Sequence, residues 1–197
     1  MIHVYEYVNN GSLNDNLDSE NYDPIPWKRR LDICIGVARA LHCLHTGANF
    51  CKRGPLSISS DSVSAEVDSD IIAYLAPEVA ITSRVSKKSD VFSFGVVLFE
   101  VLCWRRVFDA ELRMDQQFLY TWARKCIQNG TIYSIIDPYL KAKIASQCLK
   151  KFLEIAYSCV QFEVSKRPTM GEVEATLEVA LELQKKHHFY VPSNCLL

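Results

Sequence analysis

Residues 73–103 read AYLAPEVAITSRVSKKSDVFSFGVVLFEVLC, and this stretch decides which fold the sequence can form. The run from Val91 to Leu102 is apolar except for a serine, a glycine and a glutamate. It is much shorter than the roughly 20 apolar residues that cross a bilayer. We therefore predict a long helix from about Lys87 to Cys103 that is buried in the core of the protein.

Helical periodicity recurs on both sides of this run. It predicts further helices at 27–45, 116–128, 146–159 and 169–186. The first carries apolar residues on nearly all sides, so we expect it to be largely buried. The last opens on Thr169 and Glu172, which have the spacing of a capping box. Between the first helix and Lys87, residues 47–70 predict a Ser-rich loop, and residues 74–81 predict one short helical turn behind Pro77.

The N-terminal end differs from the rest of the chain. Residues 1–8 alternate and are rich in β-forming residues, which predicts one strand, and a turn and a short helix to Leu17 follow. The predicted fold class is therefore mainly α. A single strand without pairing strands is not stable, so this is an unusual inventory for a complete domain.

Composition narrows the possible functions. The chain has 197 residues, of which 49% are hydrophobic, and its net charge is −1. These values are typical of one globular domain and give no reason to expect nucleic acid or an anionic membrane as a partner. The N-terminal residues lack the pattern of a secretory leader. The eight cysteines are scattered without a CxxC pair, which favours reduced thiols over a disulfide framework.

Five motifs occur in a meaningful order: VYEYVNNGSL, RLDICIGVARALHCLH, YLAPEV, KKSDVFSFGVVLFEVL and KRPTM. Together they resemble a protein kinase domain, closest to the plant receptor-like kinases. The stretches LFEVLCWRRVFD and LYTWARKCIQNGTIYSIIDPYL are most similar to the malectin-domain, FERONIA-like branch. The resemblance covers about residues 2–183. It implies the helical C-lobe of a kinase preceded by a remnant of the hinge strand.

The resemblance implies roles for six residues. In the N-terminal remnant, Tyr5 matches the gatekeeper position, and Glu6 and Val8 match the hinge that binds adenine. In the lobe, Glu78 of the Ala-Pro-Glu motif and Arg167 match a buried ion pair. Asp90 matches the aspartate that opens the central helix and holds the catalytic loop.

The departures from the family are more informative than the matches. Intact kinases use a Gly-rich loop, a lysine–glutamate pair, a His-Arg-Asp loop and an Asp-Phe-Gly segment to handle ATP and magnesium. The first two should precede Tyr5, and the last two should lie between His45 and Ala76, but none of the four occurs. Ile71 also replaces a threonine that normally contacts the catalytic aspartate. We therefore expect no catalytic residue, no bound ATP and no metal in this chain.

The resemblance also divides the chain by position. We predict a truncated kinase domain over 1–184 and an irregular tail over 185–197. Within the domain we assign the hinge remnant and following helix to 1–18, a long buried helix to 26–46, an activation-loop remnant to 47–75 and the lower C-lobe helices to 76–184.

The sequence also contains residues typical of two kinds of metal site, a zinc site and a calcium loop. His42, Cys43 and His45 suggest a metal site, but zinc needs three or four converging ligands, and an ordinary helix end is favoured. The acidic residues between Asp61 and Asp70 lack the spacing of a calcium loop. In the activation-loop remnant, four serines are candidate phosphorylation sites or parts of a polar linker: Ser57, Ser59, Ser60 and Ser62.

Three functions stay open at this point. The first hypothesis is that the parent is a plasma-membrane receptor that phosphorylates Ser/Thr with ATP, and that this cytoplasmic chain is an inactive fragment of it. A second hypothesis is a pseudokinase-like module that binds kinases or their substrates. A third is a non-functional product of exon skipping or of a faulty gene model.

Overall fold

The computed structural model describes Leu13, residues 24–47 and residues 69–190. Over these residues the chain forms helices joined by short loops, with an isolated antiparallel bridge between Phe108 and Phe118. The α-helices are α1 Trp27–Thr46, α2 Ser69–Tyr74, α3 Pro77–Thr82, α4 Lys87–Cys103, α5 Leu119–Gln128, α6 Ser146–Cys159 and α7 Met170–Tyr190. Short 3₁₀ helices cover Ile132–Ser134, Pro138–Leu140 and Val164–Lys166. The predicted strand at 1–8 lies outside the described residues.

Helix α4 is the centre of the lobe, with the bounds predicted from its apolar run. Phe92, Leu98 and Phe99 are fully buried, and the helix packs on α1, α5 and α6. Its first turn is closed by a capping box between Ser86 and Ser89. The burial of nearly all its faces explains why the sequence pattern shows no polar side.

Helix α1 corrects one prediction. Its inner face, including Leu31 and Ala38, is buried against α4 and α7. The opposite face is not covered by any described residue, because Ile33, Val37 and Leu44 are 45%, 42% and 45% exposed. The expectation of a largely buried helix is therefore wrong for half of its surface. Apolar periodicity shows which faces can be buried but not whether a neighbour is present.

Three predicted boundaries also need correction. Residues 69–74 are helical rather than loop, and Pro77 starts a second short helix at its first position, where its missing N–H costs nothing. Helix α5 begins at Leu119 instead of Gln116. Helix α7 continues to Tyr190, so residues 185–190 are helical and not part of an irregular tail. The predicted capping box of α7 is present, since Glu172 accepts from Thr169 N–H at 2.7 Å.

A buried arginine that the sequence analysis missed connects α1 to the end of α4 and to the segment before the second 3₁₀ helix. Arg30 of α1 donates to Val101 O at 2.8 Å and forms an ion pair with Asp137 at 2.5 Å. Its guanidinium lies over the Trp104 ring. The signal was present, because Arg30 lies beside Leu31 on the buried face of α1. A charged residue on the buried face of a helix needs a buried partner.

The described cysteines behave as apolar core residues or surface thiols. Six of them are free, and only Cys43 is exposed. Burial raises the pKa of Cys34 and of Cys103 to about 12. Thiols with such values stay protonated and unreactive at neutral pH.

The packing of α4 on α6 predicts a sharp difference between two glycines. A Cβ atom on Gly95 would lie 2.5 Å from Cys159 Cβ, whereas a Cβ on Gly36 would meet no atom within 4 Å. We expect Gly95→Ala to lower the free energy of unfolding by about 1–3 kcal/mol through overpacking. Gly36→Ala should raise it by about 0.5–1 kcal/mol, because alanine favours helix. Urea denaturation measures both, and equal effects of the two changes would contradict the close approach of α4 and α6.

Candidate functional site

The short helix α3 is held against the lower lobe by an ion pair. Glu78, in the first turn of α3, accepts from both terminal nitrogens of Arg167 at 2.7 Å. The pair predicted from the sequence is therefore present, and it is bidentate. Such fork-to-fork pairs fix orientation as well as distance.

Arg167 is more deeply buried than its partner. Its side chain is 0% exposed, while that of Glu78 is 23% exposed, so only one member of the predicted buried pair is fully buried. Arg167 also donates to Gln161 O at 2.7 Å and to Lys88 O at 3.1 Å. One guanidinium thus connects α3, the start of α4 and the loop before α7.

The environment of Glu78 keeps its carboxylate charged. Burial acts to raise the pKa of Glu78, but hydrogen bonds from Arg167 and Ser89 and the positive charge of Arg167 act in the other direction. The net result is a pKa below the ordinary value. Ser89 Oγ lies 3.2 Å from the same carboxylate, which links the ion pair to the first turn of α4.

A second contact fixes α2, and the sequence analysis did not identify it. The Tyr74 hydroxyl donates to Glu100 Oε2 at 2.7 Å, and Glu100 is 1% exposed in the middle of α4. Ser93 Oγ donates to Tyr74 O at 2.8 Å. A glutamate inside an otherwise apolar helix was the available signal, because buried carboxylates need donors.

Asp90 holds the end of α1. Its carboxylate lies 2.7 Å from His45 Nε2, and the Lys87 ammonium donates to His45 O. His42 turns to another carboxylate, with Nδ1 2.9 Å from Glu174 Oε2. The two histidines therefore do not converge. In the described part of the chain, no group of three or more His, Cys, Asp or Glu is placed to hold a metal ion.

The remaining predicted site residues lie outside the described part of the chain. Tyr5, Glu6 and Val8 of the hinge remnant lie outside the described residues, as do the four candidate phosphorylation serines between Ser57 and Ser62. Within residues 24–47 and 69–190, no helix combines the length and apolar character that a membrane crossing requires.

Comparison with known sequences now decides the family. The family model for protein tyrosine and serine/threonine kinases matches residues 56–177. The chain belongs to the protein kinase family. Receptor-like protein kinase FERONIA from Arabidopsis thaliana is 40% identical over 212 aligned positions, which cover 94% of this chain and 24% of that protein. Receptor-like protein kinase ANXUR2 from the same plant is 39% identical, with 92% and 24% covered. The chain thus spans about a quarter of the length of these relatives.

Intact kinases use ATP and magnesium, so the described residues should offer ligands for both if this lobe binds them. Next to His45, a cavity of about 330 Å³ is lined by Lys87, Lys88, Val91 and Thr169 among others. Magnesium needs oxygen ligands, usually carboxylates together with substrate phosphates. No carboxylate is among the residues that line this cavity, and Asp90, next to Val91 in the chain, is bonded to His45. No set of ligands for magnesium is therefore present among the described residues that line this cavity.

The Arg167–Glu78 pair gives a stability prediction. Arg167→Ala leaves the Glu78 carboxylate and several carbonyl groups without their donor. Loss of one partner of a buried pair costs about 3–5 kcal/mol, and the partial exposure of Glu78 favours the lower end. We expect thermal melts to show a midpoint reduced accordingly, and an unchanged midpoint would contradict the pair.

The same pair sets the pH at which its contribution disappears. Because the pKa of Glu78 is lower in the folded than in the unfolded chain, the stabilisation is complete above the unfolded value of about 4.3. It is lost as the pH falls through the folded value. Glu78→Gln is the control, since its free energy of unfolding should fall less steeply between about pH 5 and the folded pKa.

Proposed function

We propose that this chain is an incomplete receptor-like serine/threonine kinase domain that transfers no phosphate as it stands. One contrast carries the proposal. The described residues keep the contacts that hold α2 and α3, namely Tyr74 with Glu100 and Glu78 with Arg167. Among those residues, no group of three or more His, Cys, Asp or Glu is placed to hold the magnesium on which phosphoryl transfer depends.

The alignments support a gap inside the domain. They extend over 212 and 209 positions, which is more than the 197 residues of this chain. The relatives therefore carry positions that have no counterpart here. Such a gap agrees with the absence of His-Arg-Asp and Asp-Phe-Gly between His45 and Ala76.

The parent protein follows from the names of the relatives. Both are receptor-like protein kinases, and we infer that the parent is a plasma-membrane receptor with a cytoplasmic kinase domain. Its reaction is ATP-dependent phosphorylation of Ser/Thr in proteins. The present chain is placed on the cytoplasmic side, with other kinases or signalling proteins as its partners.

The activity prediction is that the purified chain transfers no label from radiolabelled ATP to a generic acceptor protein in the presence of magnesium. Phosphoryl transfer depends on positioned charges, and misplacement by about 1 Å can cost a hundredfold. We also expect calorimetry to show no saturable Mg-ATP binding at micromolar concentrations. Loss of three nucleotide contacts at about 1.4 kcal/mol each removes a thousandfold in affinity.

The matched control is a chimera in which the upper lobe and catalytic segment of FERONIA are restored. Labelling by the chimera alone places the activity in the residues that this chain lacks. Labelling by the present chain that disappears in Asp90→Asn would overturn the proposal.

A second candidate function is a binding module, and the exposed face of α1 favours it. Ile33, Val37 and Leu44 recur at helical spacing on that face, and contiguous exposed apolar residues mark interaction surfaces. We expect the chain to form a weak complex with the FERONIA kinase domain in sedimentation experiments. Val37→Asp should abolish the complex, whereas Val179→Asp on α7, at 49% exposure, should not. Equal effects of both changes would exclude the α1 face.

Genomic sequence separates these functions from a non-functional product. The informative interval lies between the codons for Ala48 and Arg53. An intact exon there that encodes His-Arg-Asp and Asp-Phe-Gly would identify the present chain as an isoform or as an incomplete gene prediction.

A further inference from the structure

The segment between α3 and α4 is exposed and irregular. Residues 83–86 have no regular secondary structure, and Ser83 has a left-handed φ of 53°. Ser86 is exposed and comes directly before the first residue of α4. Its side chain is exposed, in contrast to the buried Ser89 three residues later, although its hydroxyl caps α4 by accepting from Ser89 N–H at 3.2 Å.

Basic residues surround this serine on both sides. Arg84 stands two residues before Ser86, and Lys87 and Lys88 follow it. Arg84 and Lys87 are exposed. Enzymes that select substrates by charge pair their own acidic residues with such positions. We propose that Ser86 is a phosphorylation site for a basophilic protein kinase acting in trans, and that its phosphate strengthens the first turn of α4 beside the Glu78–Arg167 pair.

The modification itself is an ordinary phosphoryl transfer. Ser86 Oγ forms a bond to the γ-phosphorus of ATP while the bond from that phosphorus to the β,γ-bridging oxygen breaks. ADP leaves, and the hydroxyl proton passes to the general base of the external kinase. Since that kinase supplies all the chemistry, the inference does not depend on whether this chain is active.

The position of Ser86 connects it to the ion pair. Ser86 Oγ lies 3.1 Å from Ser89 Oγ, and Ser89 Oγ lies 3.2 Å from Glu78 Oε1. A phosphate on Ser86 adds nearly two negative charges at the N-terminus of α4, where the helix dipole favours them. The ammonium groups of Lys87 and Lys88 donate to His45 O and Arg167 O. The carboxylates of Glu78 and of Asp90, in the first turn of α4, oppose this, but Arg167 pairs with Glu78 and His45 lies 2.7 Å from Asp90. The net effect is therefore stabilisation.

A second motif in the same chain provides an internal control. Thr169 also follows an arginine by two residues, in the sequence Arg167-Pro168-Thr169. Arg167, however, is 0% exposed, and Thr169 Oγ1 lies 2.8 Å from Glu172. The two sites share an arginine two residues before the hydroxyl residue, but of these two arginines only Arg84 is exposed.

The test incubates the folded chain with the catalytic fragment of protein kinase C, ATP and magnesium, and maps phosphate by mass spectrometry. We expect phosphate on Ser86 and none on Thr169. Arg84→Gln should slow labelling of Ser86 at least about tenfold, the worth of one charge-assisted hydrogen bond. Ser86→Asn should remove the acceptor while keeping a good N-cap, so the variant stays folded.

Two further measurements can overturn the proposal. If a free peptide of residues 80–92 is labelled but the folded chain is not, Ser86 is not an accessible site. If Arg84→Gln is labelled as fast as the unchanged chain, the arginine is not recognised. The phosphorylated chain should melt about 2–4 °C higher at low salt, with the difference much reduced in 1 M salt. A lower melting point would show that repulsion from Glu78 prevails.

Discussion

The guanidinium of Arg167 is the point on which the lower lobe depends. It lies fully buried and binds Glu78 through two bonds while donating to carbonyl groups at Gln161 and Lys88. These groups belong to three segments, namely α3, the start of α4 and the loop before α7. A buried arginine is tolerated only when its donors are used, so movement of any one segment leaves part of the guanidinium without a partner. Arg167 therefore ties α3, the start of α4 and the loop before α7 to one another.

This arrangement separates two tasks that an intact kinase combines. Holding the segment around α2 and α3 needs only Arg167, Glu100 and their partners, all of which belong to the helical lobe. Handling nucleotide needs charges that converge on one phosphate group, and those come from other parts of the family's domain. The contacts of Arg167 and Glu100 do not involve the residues that handle nucleotide. A lobe without the nucleotide-handling residues can therefore keep these contacts. Family membership and catalytic competence are thus independent properties of such a chain.

The sequence predicted most of the fold because burial and periodicity are local properties. The bounds of α4 and α6 follow directly from their apolar runs. The Glu78–Arg167 pair was predictable only through family resemblance, since 89 residues separate its members. The contacts of Arg30 with Asp137 and of Glu100 with Tyr74 were not predicted. Periodicity shows that a charged residue is buried, but it does not identify the residue that it contacts. The exposure of Ile33 on α1 was unpredictable for the same reason, as it depends on which neighbours are present.

The core explains why the lobe can form without a catalytic segment. Helix α4 contacts α1, α5 and α6, and α7 covers α1 and α6, so each of the longer helices has at least one helical partner within the described residues. Two buried polar side chains add contacts between helices and loops. Arg30 of α1 bonds to Val101 O and Asp137, and Gln184 of α7 accepts from Ala145 N at 2.9 Å. Among the described residues, the large apolar side chains that stay exposed lie on one face of α1 and at scattered positions elsewhere. Exposure of that face lowers solubility and favours association, but it removes no contact from the core. The exposed apolar face of α1 therefore lies on a lobe whose described helices are packed on one another.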